Sequence, residues 1–104
     1  MPNHSINGKV ALIAGGAKNL GGLIARDLAK HGAKAVVVHY NSASSQADAN
    51  ATVAAIEALG AKAVALQADL TTAGAMEKLF NDAVAAVGRP DIAIAEVYAS
   101  ASAR

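Results

Sequence analysis

The chain has 104 residues, room for one domain, and a formal net charge of only +1. Its hydrophobic fraction is 54%, but 28 residues of that set are alanine, so the larger core-formers are nine Val, eight Leu, six Ile, two Met, two Tyr and Phe80. A near-neutral charge and 3% aromatic content exclude the basic stripe and stacking platforms of a nucleic-acid binder, and the absence of cysteine excludes disulfides, thiolate metal sites and a cysteine nucleophile.

Residues Met1–Asn7 carry no apolar run, and uninterrupted apolar runs such as Ala35–Val38 are far short of the roughly 20 residues that a membrane span requires. A cytoplasmic location is therefore expected, with no membrane or nucleic-acid partner. Asn3-His4-Ser5 and Asn50-Ala51-Thr52 match the glycosylation sequon by chance on this reading.

In chain order, the first strand is expected at Val10–Ala14. A helix with Leu20, Ile24 and Leu28 on one face follows and ends at Gly32. The next strand is Ala35–His39. A second helix runs from about Ser45 to Leu59 with Val53, Ile56 and Leu59 on one side. The third strand is Ala63–Gln67. The third helix starts after Thr71 or Thr72, either serving as N-cap, and buries Met76, Leu79, Phe80, Ala83, Val84 and Val87. A fourth strand follows at Asp91–Ala95. Gly32, Gly60 and Gly88 are spaced 28 residues apart, each just past a helical segment, as are the starts of the last three strands. Only this cap recurs, so the beat reads as a βαβ chain rather than a solenoid. Val36-Val37-Val38 and Ile92-Ala93-Ile94 are apolar at every position, the pattern of parallel strands covered on both faces.

Between the first strand and the first helix lies Ala14-Gly15-Gly16-Ala17-Lys18-Asn19-Leu20-Gly21-Gly22. Gly15 permits a sharp turn out of the strand, and Gly21 or Gly22 lets the helix lie close on the sheet. The helix start then offers unpaired N–H groups to a phosphate. A ligand-free βα turn would use the same glycines. A Walker-type loop is excluded, because Gly21 is followed by Gly22-Leu23 rather than Lys and Ser/Thr.

This turn resembles the Thr-Gly-x-x-x-Gly-x-Gly opening of the short-chain dehydrogenase/reductase family, with Ala14 in the threonine position and Asn19 in that of the middle glycine. Asn7-Gly8-Lys9-Val10-Ala11-Leu12 is similar to the family's lead-in to its first strand. Ala68-Asp69-Leu70-Thr71 is similar to its Asp–aliphatic pair at the adenine. The likeness extends from about Ile6 to Ile94. It implies an α/β, Rossmann-like parallel sheet of about four strands, order 3-2-1-4, with three helices, cut short of the family's full fold. It further implies that Gly15, Lys18, Asn19, Leu20 and Gly21 take the pyrophosphate and adjoining ribose, and that Asp69 and Leu70 take the adenine. Taken alone, Asp69 would read as a helix N-terminal acid or strand-end cap sooner than as a ligand contact.

Relatives that prefer NAD end the second strand in an acid. Here Tyr40, Asn41 and Ser42 occupy that place, with no acid before Asp48. These neutral donors, with Lys18, suit a 2′-phosphate, and NADP(H) is the expected cofactor.

The family's Asn-Asn-Ala-Gly-like motif after the fourth strand is replaced by Ala95-Glu96-Val97-Tyr98. Its Ser, Tyr and Lys of catalysis have no counterpart: Tyr98-Ala99-Ser100-Ala101-Ser102 echoes the family's Tyr-x-x-x-Lys, but Ser102 stands in the lysine position. A serine cannot lower the pKa of a phenol, so no residue is read as catalytic. His4, His31 and His39 show no ligand spacing and are read as surface or strand-end residues, and no metal is expected.

The expectation is the cofactor-binding half of an oxidoreductase that moves hydride between a nicotinamide and a carbonyl or alcohol carbon. Residues 1–95 form the Rossmann-like unit, and 96–104 a low-complexity tail. The alternatives are a nucleotide-binding or regulatory module without turnover, and an α/β fragment that binds nothing. The fourth strand has no proline or lysine to protect its edge, so a homo-oligomer or edge pairing with another chain is also expected.

Overall fold

A computed structural model describes residues 6–15 and 19–95. Four strands and three helices alternate: β1 (Val10–Ala14), α1 (Asn19–Lys30), β2 (Ala35–Tyr40), α2 (Gln46–Ala58), β3 (Lys62–Gln67), α3 (Ala75–Val87) and β4 (Ile92–Ala95). A short 3-10 turn, Ala43–Ser45, leads into α2. All pairings are parallel, in the order β3-β2-β1-β4. The order and the number of helices are those expected from the sequence.

The register follows from the apolar runs. Ala11, Leu12 and Ile13 of β1 lie opposite Val36, Val37 and Val38 of β2, and β1 and β2 have a strand on either side and helices on both faces. Val10–Ala14 and Ala35–His39 are accordingly buried throughout. On one face, Ile13, Val36 and Val38 pack with Ala25 and Ala29 of α1 and Ile56 of α2. On the other, Leu12 and Val37 pack with Leu79 and Ala83 of α3. Each fully buried Val, Leu or Ile contributes about 1.5–3 kcal/mol, and the interleaved alanines bring the helices close to the sheet.

Gly32, Gly60 and Gly88 take backbone with φ of 98°, 95° and 95°, as glycines past helix ends do. At the other end of the sheet, Asp91 ties β1 to β4: its carboxylate accepts the Val10 N–H at 2.9 Å, and its own N–H donates to the Val10 carbonyl at 2.7 Å.

Three expectations require correction. Neither Thr71 nor Thr72 caps α3, which starts after Gly74 in left-handed backbone (φ 80°). Thr71 is instead drawn into a turn by Asp69, which accepts its N–H and its hydroxyl. Secondly, α3 buries Leu79 and Ala83, whereas Met76, Phe80 and Val84 are 47%, 37% and 39% exposed. The helix rests on β3 and β2, so its second apolar row faces away from them. For the same reason β4 is not covered on both faces: Ala93 is exposed, and Ile92 and Ile94 are half-buried. Thirdly, Leu59 lies past the last turn of α2 and is 49% exposed, leaving Ile56 as that helix's buried anchor.

Candidate functional site

In a parallel sheet, ligand crevices open at the carboxyl ends of the strands, where neighbouring connections depart to opposite sides. Here β1 is that strand: it pairs with β2 on one side and β4 on the other. Gly15 follows β1, Tyr40 ends β2 with Asn41 and Ser42 behind it, and Asp69 and Leu70 lie just past β3. The fold brings these residues to one end of the sheet.

Gly15 turns the chain out of β1 with φ of 78°, a conformation costly for a residue with a Cβ. The chain re-enters regular structure at Asn19, and Gly21 and Gly22 are buried in the first turns of α1. Asn19 and Leu20 thus belong to the start of that helix. Lys18 lies outside the described residues, as do Gly16, Ala17, His4, Glu96, Tyr98 and the tail 96–104.

Beyond β2, Tyr40 is half-buried, while Asn41 and Ser42 are exposed. The Ser42 and Ser44 hydroxyls are hydrogen-bonded at 2.8 Å. The Gln67 side-chain amide donates to the Asn41 carbonyl at 3.5 Å. The nearest following acid, Asp48, sits in the first turn of α2. The loop end of β2 is therefore polar and carries no acid.

Beyond β3, Asp69 Oδ1 accepts the Thr71 N–H at 3.0 Å and the Thr71 hydroxyl at 2.6 Å. These two bonds favour the charged carboxylate and hold its pKa below the usual value. Asp69 lines a cleft of about 280 Å³ with Ala68, Thr72, Gly74 and Lys78. On its far wall Lys78 pairs with Asp82 at 2.9 Å. Leu70 packs against the cluster of Leu12, Val37, Leu79 and Ala83, so the loop after β3 is anchored in the core.

One residue at this end was not singled out from the sequence. His39 lies at the end of β2 as expected of a strand-end histidine, but it is fully buried rather than at the surface. Its Nδ1 accepts the Gly15 N–H at 2.9 Å. With that lone pair engaged, the proton resides on Nε2, which donates to the Ala68 carbonyl at 2.7 Å. Burial pulls its pKa below the ordinary 6.5, against an opposing effect of the Ala68 bond. The available signal was a lone histidine closing the valine run Val36–Val38. By contrast, His31 is exposed at the end of α1 and bonds the Asp27 carbonyl.

Comparison with known proteins places this geometry. A KR domain model matches residues 9–103. An uncharacterized oxidoreductase of Methylorubrum extorquens is 48% identical over 89 residues, which are 86% of this chain and 35% of the relative. A Burkholderia cenocepacia structure described as a dehydrogenase with bound NADP is 66% identical, with a TM-score of 0.87 over 90% of this chain and 36% of its own. A blue fluorescent protein from a metagenomic library, solved with NADPH, is 37% identical with a TM-score of 0.79, covering 86% and 36%. The chain thus spans about a third of the length of the proteins it matches. With the βα beat, the glycine turn and the 3-2-1-4 sheet, these matches show that the chain belongs to the short-chain dehydrogenase/reductase family.

Proposed function

We propose that this chain is the NADP(H)-binding half of an oxidoreductase of the short-chain dehydrogenase/reductase type. The observation that carries this reading is the convergence of Gly15, Tyr40–Ser42 and Asp69–Leu70 at the carboxyl ends of three adjacent parallel strands. The turn after Gly15 and the start of α1, with Lys18, Asn19, Leu20 and Gly21, would hold the pyrophosphate and adjoining ribose. Tyr40, Asn41 and Ser42 would take the 2′-phosphate, and the Asp69 carboxylate with Leu70 the adenine.

The preference for NADP(H) rests on charge. An acid ending β2 would accept hydrogen bonds from a free ribose 2′-hydroxyl and repel a phosphate there; this loop has none before Asp48. That a 66% identical structure carries NADP supports the same choice. The bound nicotinamide would supply hydride transfer to or from a carbonyl or alcohol carbon, and the residues of this chain would bind and orient the dinucleotide. No catalytic or metal-ligating role is assigned to any of them. The outer edge of β4 would be covered by another chain or by further sequence of the same protein.

Calorimetric titration of the chain with NADPH and with NADH tests the reading. NADPH is expected to bind at least about tenfold more tightly, a difference of about 1.4 kcal/mol. Equal or tighter binding of NADH contradicts the assignment of Tyr40–Ser42.

A further inference from the structure

His39 joins the two walls of the candidate site through one ring. Its Nδ1 holds Gly15, 24 residues before it, and its Nε2 holds Ala68, 29 residues after it. Ala68 is fixed from both sides, because its N–H also donates to the Tyr40 carbonyl at 3.1 Å. Asp69 follows immediately. The separation between the glycine turn and the Asp69 loop is therefore set by the width of an imidazole.

The ring performs this role in one protonation state. The neutral ring with its proton on Nε2 satisfies both partners. A proton added at Nδ1 would face the Gly15 N–H, donor against donor, in a buried position where the lost bond is not replaced by water.

We propose that His39 is a positioning residue for the dinucleotide site: its neutral imidazole clasps the Gly15 N–H and the Ala68 carbonyl, and protonation at Nδ1 releases the glycine turn and weakens binding. This rests on the reading of the site given above. It also makes dinucleotide affinity fall in acid through a group that does not touch the ligand.

The surrounding charges are few. β1 carries no titratable side chain, and Tyr40 is the one neighbour on β2 that does. On the β3 side Asp69 is engaged with Thr71, and Lys62 lies at the opposite end of the strand. On the α3 side Lys78 is paired with Asp82, with Glu77 beside them. Lys18 lies outside the described residues. Among the described residues no ion pair involves the His39 ring, so the bonds to Gly15 and Ala68 are the contacts that depend on its protonation state.

The test compares wild type with His39→Asn and His39→Gln by calorimetric titration with NADP+, from about pH 8 to about pH 5. The asparagine oxygen can replace Nδ1 as acceptor for Gly15 but does not titrate; the glutamine amide reaches instead toward Ala68. The 2′-phosphate itself protonates near pH 6 and lowers affinity in every variant, so the difference in slope is the readout. Wild type is expected to lose about tenfold more affinity across the range than His39→Asn, and His39→Gln to bind about tenfold more weakly than wild type at pH 8. Should either variant fail to fold, nitrogen-15 NMR of wild type decides: the Gly15 amide and the His39 ring should titrate with one midpoint, from a neutral ring protonated on Nε2. Equal slopes in wild type and His39→Asn, or a ring protonated on Nδ1 at pH 8, overturn the inference. Failure of wild type to bind NADP+ at pH 8 overturns the reading of the site and this inference with it, whereas binding with equal slopes overturns this inference alone.

Discussion

Burial holds the His39 imidazole below its ordinary range because the charged ring would lose water and gain a donor–donor contact with Gly15. A histidine whose folded pKa is depressed stabilises the fold fully above its unfolded value and progressively less as pH falls from there toward the folded pKa. The midpoint of urea denaturation is therefore expected to be flat just above pH 6.5 and to fall below it. A midpoint that rises as pH drops from 6.5 would contradict the buried neutral ring. Asp69 adds a second, smaller acid limb. Its pKa is lowered by Thr71, so its contribution is lost as pH falls from about 3.8 through the depressed value, and full exposure to solvent keeps that contribution small. The position of Asp69 and Leu70 just past β3 was legible in the chain. The role of His39 was not, because it depends on Gly15 and Ala68 meeting across β2, a relation no local spacing contains.

Elements were legible where a stripe met a partner and misread where it did not. Strands β1 and β2 are central, so every aliphatic residue in them is buried and their runs gave their bounds to within a residue. In α3 both apolar rows look alike in sequence, yet Leu79 meets Leu12 and Val37 while Phe80 does not. Leu79→Ala is expected to cost about 2–4 kcal/mol, and Phe80→Ala less than about 1.5 kcal/mol, measured by urea denaturation. Equal costs would show that the second row is packed after all. Helix ends offer a matched pair. A Cβ on Gly32 would meet Asn7 Oδ1 at 2.9 Å and Asn7 Cα at 3.3 Å, whereas one on Gly60 meets nothing within 4 Å. Both glycines have positive φ, so Gly60→Ala is expected to cost about 1 kcal/mol from backbone strain alone. Gly32→Ala should cost at least about 1 kcal/mol more, and parity between the two would place Asn7 away from the turn.

At the scale of the molecule, the abundance of alanine acquires a physical meaning. Nine of the 17 buried apolar residues among those described are alanine, so the core is thin and gains its stability from close approach of helices to sheet. The 28-residue beat specified the parallel sheet, and the glycine turn marked the end of it at which the proposed site lies. A partner for the outer edge of β4 was not legible, since an apolar strand reads the same whatever lies beside it. The site itself is a property of the assembled sheet: three loops distant in sequence share one end. That convergence is most directly tested by nitrogen-15 amide mapping during titration of the full chain with NADPH. The account predicts that the largest shifts fall at Gly15, Asn19–Gly21, Tyr40–Ser42 and Asp69–Leu70. Shifts confined to the opposite end of the sheet, around Lys9, Lys34 and Asp91, or no shifts at saturating nucleotide, would contradict it.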